Sequence, residues 1–288
     1  MPFIHCVKFL LRLCKPIDGT KADDVSNLYE SLIGNFEDIV QYNKDNKAFE
    51  GGKHDNVTIE TLCDIMAGGE ISREEEKMKE MSEFDEMASF LKETFLNRFE
   101  DEAPKKKTSL EYFADVNELY LKIHDQECFD VGYDDMIKDL REVSFNKNIG
   151  GRQWIYQTCT EFGWYQSSDQ PGHPFTDRFP VQFSEKQCAD IFGPEFDAEL
   201  LERGIARSNM VYGGRNIKVS NVVFVHGSID PWHALGITRD VNEEATAIFI
   251  EGTAHCANMY PERPEDPPQL KRARQQVMLK IKEWLQQH

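Results

Sequence analysis

Three features of this 288-residue sequence predict an α/β chain with a large helical part. Two short, β-branched apolar runs lie near the carboxyl end, Asn221–Gly227 and Ala245–Gly252, and a helix-sized segment separates them. Continuous apolar runs of that length read as buried parallel strands. Helical periodicity dominates the chain up to about residue 150. An amphipathic segment closes the sequence and is expected to lie on the sheet.

The elements follow in chain order. Between Asp23 and Tyr42, Val25, Leu28, Leu32, Phe36 and Ile39/Val40 recur every three or four residues and make one apolar helix face. Residues 43–56 are polar, contain Gly51-Gly52, and read as a loop. Val57 to Met66 is a short helix closed by Gly68-Gly69. Ser72 and Glu75 form a capping box that opens a longer helix through Met78, Met81, Phe84, Ala88, Leu91, Phe95 and Phe99. Its methionines read as core filler, and the runs Glu74–Glu76 and Lys105–Lys107 as solvated faces. After Asn148 the composition changes. Gly150-Gly151 opens an aromatic stretch, Trp154, Tyr156, Phe162, Trp164 and Tyr165. Pro171 to Phe183 reads as a Pro-rich loop, and Cys188 to Arg207 as helix. The final helix, Pro268 to Gln287, carries Leu270, Ala273, Val277, Ile281 and Trp284/Leu285 on one face.

Charge narrows the function classes. With 33 Lys+Arg against 51 Asp+Glu, the formal net charge is −18. That excess repels phosphate backbones and anionic lipid, so neither nucleic acid nor a membrane is an expected partner. No apolar stretch is long enough to span a bilayer. The seven cysteines are widely spaced, with no Cys-x-x-Cys pair, which suits an oxidised protein of the secretory route. Their odd number leaves at least one thiol without an internal partner. Asn56-Val57-Thr58 is a glycosylation sequon. The stretch Met1 to Cys14 is apolar but broken by His5, Lys8 and Arg12, and no small-residue cleavage site follows. It is not recognisable as a signal peptide.

The chemistry concentrates at the strand ends. Asp230 follows the first apolar run, in Gly227-Ser228-Ile229-Asp230-Pro231-Trp232. His255 follows the second, in Gly252-Thr253-Ala254-His255-Cys256. Loops at the carboxyl ends of parallel strands are where such sheets place function. Asp then His is the second half of the Ser…Asp…His order of α/β-hydrolases. Singly, a post-strand Asp reads as a helix cap and a lone His as structural; the pair in this frame favours catalysis. His226 and His233 bracket Asp230, but a zinc site needs a third ligand and a supporting shell, so no metal and no cofactor are expected.

Three segments together resemble a known family. Val222 to Gly236, containing Asp230-Pro231-Trp232, resembles the Asp motif of the lysosomal Pro-Xaa carboxypeptidase family of serine peptidases. Trp154-Ile155-Tyr156-Gln157-Thr158-Cys159-Thr160-Glu161-Phe162-Gly163 resembles its aromatic motif. Gly252-Thr253-Ala254-His255-Cys256 resembles its His motif, nearest the thymus-specific branch. The resemblance implies a serine exopeptidase cutting near proline or small residues, with peptide as substrate. It makes Asp230 and His255 triad members and implies a lysosomal or secreted location. It also implies that residues 1–200 form a mostly helical cap, with the aromatic, Pro-rich loop at 150–185, and that 201–288 form the α/β-hydrolase portion. A homodimer stays open.

One part of the pattern is not in this sequence: none of its serines stands in Gly-x-Ser-x-Gly. The expectation is therefore the carboxyl-terminal portion of a family member, lacking the nucleophile and the first strands of the sheet. The alternative is an inactive truncated form or pseudo-enzyme that only binds a peptide or a partner. Trp154 and Trp232 are candidates for a pocket holding proline or an apolar side chain, set against ordinary core. Glu161 is a candidate for pairing with a peptide amino terminus, set against a structural hydrogen bond. Cys159 and Cys188 flank the aromatic, Pro-rich loop, and the resemblance points to the same pair. Closing that loop removes roughly 3–4 kcal/mol of unfolded-state entropy.

Overall fold

The computed structural model describes residues 7–45, 57–68, 107–144, 150–172 and 177–286. The helix expected from Ser72, the Asn56 sequon and Cys6 lie outside the described residues.

Helix α1 (Ala22–Gln41) is the spine of the helical part. Asp23 and Asp24 in its first turn complement the helix dipole. Its apolar stripe enters three clusters in succession. Leu28 and Leu32 pack with Leu11, Leu13, Leu121 and Phe129. Ile33 packs with Tyr133, Ile137, Phe179, Phe183 and Ile191. Ile39 meets Leu62 and Val116. Buried asparagines on the same helix are satisfied: Asn27 Nδ2 donates to the Val131 carbonyl, and Asn35 to Asn117 Oδ1.

Helix α2 (Ile59–Met66) and helix α3 (Ser109–Ile123) pack against α1, each opened by a capping box, Thr58 with Thr61 and Thr108 with Glu111. Helix α4 (Tyr133–Arg141) follows. A disulfide between Cys14 and Cys128, separated by 114 residues, ties the segment before α1 to the segment after α3, where Leu13 and Phe129 also form an isolated parallel bridge.

Helix α5 (Gly151–Gln157) continues into a π-helical turn, Thr158–Phe162. Helix α6 (Val181–Phe192) begins inside the stretch expected to be loop, with Pro180 at its N-cap and the Val181 amide donating to Asp169 Oδ2. The helix expected from Cys188 to Arg207 is broken. Gly193, at φ +126, ends α6, Pro194 follows, and Asp197 caps a separate helix α7 (Ala198–Tyr212) through the Leu200 amide. Helix α7 crosses the π-helical turn at Gly204, where a Cβ would stand 2.1 Å from the Thr160 carbonyl oxygen. The Cys159–Cys188 disulfide, with its sulfurs 2.01 Å apart, joins this turn to α6.

The carboxyl-terminal part holds strands β1 (Val222–Gly227) and β2 (Ala245–Ile250). They pair in parallel, from Val222↔Ala245 to Gly227↔Ile250. The segment between them forms a short 3-10 turn, Pro231–Leu235, and no α-helix. Helix α8 (Pro268–Gln286) lies on the sheet through Leu270 and Ala273, which pack with Ile250, Ala257, Val225 and Ile248. The rest of its expected apolar face does not share that contact: Ile281 is 36% exposed and Leu285 73%. The helix is longer than the two strands it covers.

Candidate active site

The register of β1 and β2 puts their following loops side by side. Gly227 closes β1 against the second loop, where a Cβ would meet the Thr253 carbonyl oxygen at 2.3 Å. Ser228 N–H then donates to the Ile250 carbonyl, Ile229 N–H to the Thr253 carbonyl, and Gly252 N–H to Ser228 Oγ. The two loops are thereby fastened edge to edge before either reaches its chemistry-bearing residue.

Asp230 is buried, with 6% of its surface exposed. Its two carboxylate oxygens have separate partners. Oδ1 accepts from the Trp232 amide at 3.0 Å and caps the 3-10 turn, with Pro231 at the first position. Oδ2 lies 3.0 Å from His255 Nδ1. The two residues predicted from the strand-end pattern are thus in hydrogen-bond contact. The contact leaves Nε2 as the ring nitrogen available for proton exchange with a further group. Contact with the neighbouring Cys256 sulfur pushes the His255 pKa up to about 9; burial opposes, and the hydrogen bond and charge of Asp230 add to the rise. Cys256 itself takes a left-handed backbone, φ 58.

A side of the site that the sequence did not signal comes from the helical part. The end of α1 reaches the His255 loop: the His255 amide donates to the Gln41 carbonyl at 2.8 Å. Gln41 Oε1 accepts from Trp232 Nε1 at 2.8 Å. The Tyr42 ring meets the His255 imidazole edge-on, centroids 5.8 Å apart.

Trp232 also joins an aromatic cluster. Its ring is 6.1 Å from Trp154 and 6.2 Å from Trp164, and Phe162 bridges those two at 5.5 and 5.0 Å. Trp154 and Trp164 are 47% and 50% exposed, so this cluster is no sealed core. Tyr156 packs elsewhere, on Phe192 and Phe196. Glu161 stands exposed on the π-helical turn. The bracketing histidines do other things. His233 Nδ1 contacts the Asp230 backbone carbonyl at 2.6 Å. His226, on β1, has its pKa lowered by burial. Among the described residues no three His, Cys, Asp or Glu side chains gather in a metal-holding group.

An ion pair and a backbone contact hold the segment after His255 to α8. Arg274 of α8 donates from Nη2 to the Ala257 carbonyl at 2.9 Å and from Nη1 to Asp266 at 2.5 Å. Burial alone would raise the Asp266 pKa; the hydrogen bond and charge of Arg274 hold it below the usual carboxylate range.

Comparison with known proteins identifies relatives of this chain. Human thymus-specific serine protease is 34% identical over 161 residues, covering 56% of this chain and 31% of that protein. The mouse thymus-specific serine protease is 32% identical over 169 residues, covering 58% and 33%. Human lysosomal Pro-X carboxypeptidase is 27% identical over 139 residues, covering 48% and 27%. The matches with the thymus-specific proteases thus span about a third of those proteins' length. The family described as serine carboxypeptidase S28 matches residues 4–277. Its fold is of the α/β-hydrolase type, and the parallel β1–β2 pair with α8 is compatible with part of such a domain. With that match running through nearly its whole length, the chain belongs to the serine carboxypeptidase S28 family.

Proposed function

We propose that this chain carries the Asp–His half of a serine exopeptidase. The observation that carries the reading is the 3.0 Å contact of Asp230 Oδ2 with His255 Nδ1 at adjacent parallel-strand ends. In this reading Asp230 fixes the His255 tautomer with the proton on Nδ1. His255 Nε2 takes the proton of a serine hydroxyl as it attacks the peptide carbonyl, and returns it to the leaving amine. Asp230 stabilises the imidazolium between those steps. The nucleophile comes from sequence beyond these 288 residues, since no serine here stands in Gly-x-Ser-x-Gly.

The substrate is a peptide. Trp154, Trp164 and Trp232 present an accessible apolar surface beside Asp230, suited to a proline ring or a small side chain. Glu161, exposed one residue before Phe162 of that cluster, is the group on hand to pair with a peptide amino terminus. The two disulfides and the family favour a lysosomal or secreted protein. The rival reading is an inactive form that only binds peptide through the same aromatic surface.

A fluorophosphonate serine probe separates the readings. Residues 1–288 alone are expected to stay unlabelled, and a chain extended upstream to label in a manner lost with His255→Ala. No labelling of the extended chain, together with peptide binding, favours the inactive form. Labelling of residues 1–288 at one serine, lost with His255→Ala, places the nucleophile inside this sequence and refutes its assignment elsewhere.

A further inference from the structure

We propose that Gln41, at the carboxyl end of α1, is a positioning residue that sets the spacing of Asp230 and His255. The inference rests on the reading of those two residues as a proton relay. The last carbonyls of a helix have no partner within it. Here the carbonyl of the last helical residue accepts the His255 amide at 2.8 Å. The side chain of the same residue accepts Trp232 Nε1–H at 2.8 Å. The Trp232 amide in turn is held by Asp230 Oδ1 at 3.0 Å. One residue from the helical part therefore grips both loops, one by backbone and one by side chain.

The consequences are geometric and electrostatic. The Asp230–His255 contact spans two loops, so any shear between them lengthens it. Gln41 opposes that shear from outside the sheet, where the loops' own bonds, such as Ile229 N–H to the Thr253 carbonyl, act only along the inner edge. The negative end of the α1 dipole also rests on the His255 loop, which favours the imidazolium. Among the described residues, Tyr42 and Cys256 also lie against the ring beside Asp230.

The test is imidazole and indole NMR on the 288-residue chain. Gln41→Met removes the side-chain acceptor at similar volume and helix propensity. Trp232 Nε1–H exchange is expected to quicken roughly fivefold or more, the loss of one hydrogen bond. The His255 titration midpoint is expected to fall by about half a pH unit, a roughly threefold loss of proton affinity. Gln41→Glu, which keeps an oxygen acceptor, restores slow indole exchange. Should Gln41→Met fail to fold, Trp232→Phe removes the same bond from the donor side, and the same fall in the His255 midpoint is expected. An unchanged His255 midpoint in a folded Gln41→Met or Trp232→Phe chain overturns the proposal. A lowered midpoint alongside an extended chain that no serine probe labels supports the positioning and sinks the peptidase reading instead.

Discussion

Replacing Asp230 by Asn tests the central contact. The substitution keeps the side-chain shape, and Asn Oδ1 can still accept the Trp232 amide, so the 3-10 turn should survive. What is lost is the negative charge 3.0 Å from His255 Nδ1. The His255 pKa, pushed up from 6.5 to about 9 by Cys256 first and Asp230 in addition, should fall by the part that Asp230 supplies. The stability consequence has a definite sign. A histidine with a raised folded-state pKa binds more protons folded than unfolded between pH 6.5 and about 9. Its stabilisation is complete below 6.5 and is lost as pH rises through 9. The wild-type unfolding free energy should therefore decline across that window, with a His255 slope of at most about 1.4 kcal/mol per pH unit. The Asp230→Asn chain should lose part of that window, the Cys256 contribution remaining. Urea unfolding at several pH values, beside an imidazole NMR titration, reads both quantities. An Asp230→Asn chain whose His255 still titrates near 9, with the wild-type slope, refutes any contribution of Asp230 to the shift.

Two further outcomes follow from groups around the site. Arg274→Met takes from Asp266, whose side chain is 5% exposed, its nearer cation, leaves Arg263 Nε at 3.5 Å, and frees the Ala257 carbonyl. Loss of a buried pair's partner costs up to about 3–5 kcal/mol where no other cation remains, so the urea midpoint should drop; a change within error would mean that Arg263 or water compensates for the guanidinium. On α1, burial and the nearby Glu30 push the Glu37 pKa up to about 7. Glu37→Gln should therefore stabilise the chain by about 1–3 kcal/mol above pH 8 and by much less near pH 5. Equal effects at both pH values would show that the charge is not the cause.

Much of this molecule is written in local patterns. The stripe Leu28, Leu32, Ile39 reports a helix because residues three and four apart share a face. The runs Val222–Val225 and Ala247–Ile250 report strands because β-branched apolar residues suit a sheet covered by α8. Asp230 and His255 were legible as a pair because parallel strands deliver their following loops to one edge. The Cys159–Cys188 bond was legible from the loop it spans together with the family resemblance. Other features depended on distance. The Cys14–Cys128 bond closes 114 residues, and nothing near either cysteine names the other. The break at Gly193-Pro194 lay inside an apolar periodicity that continued across it. The outer half of α8 carries the spacing of a buried face, yet burial depends on what the fold sets opposite, not on spacing. Gln41 is the sharpest case. A polar residue ending a helix has no signature of its own, and its contact with Trp232 spans 191 residues. Its grip on both loops exists only because α1 packs where it does, and packing position is a property of the whole core.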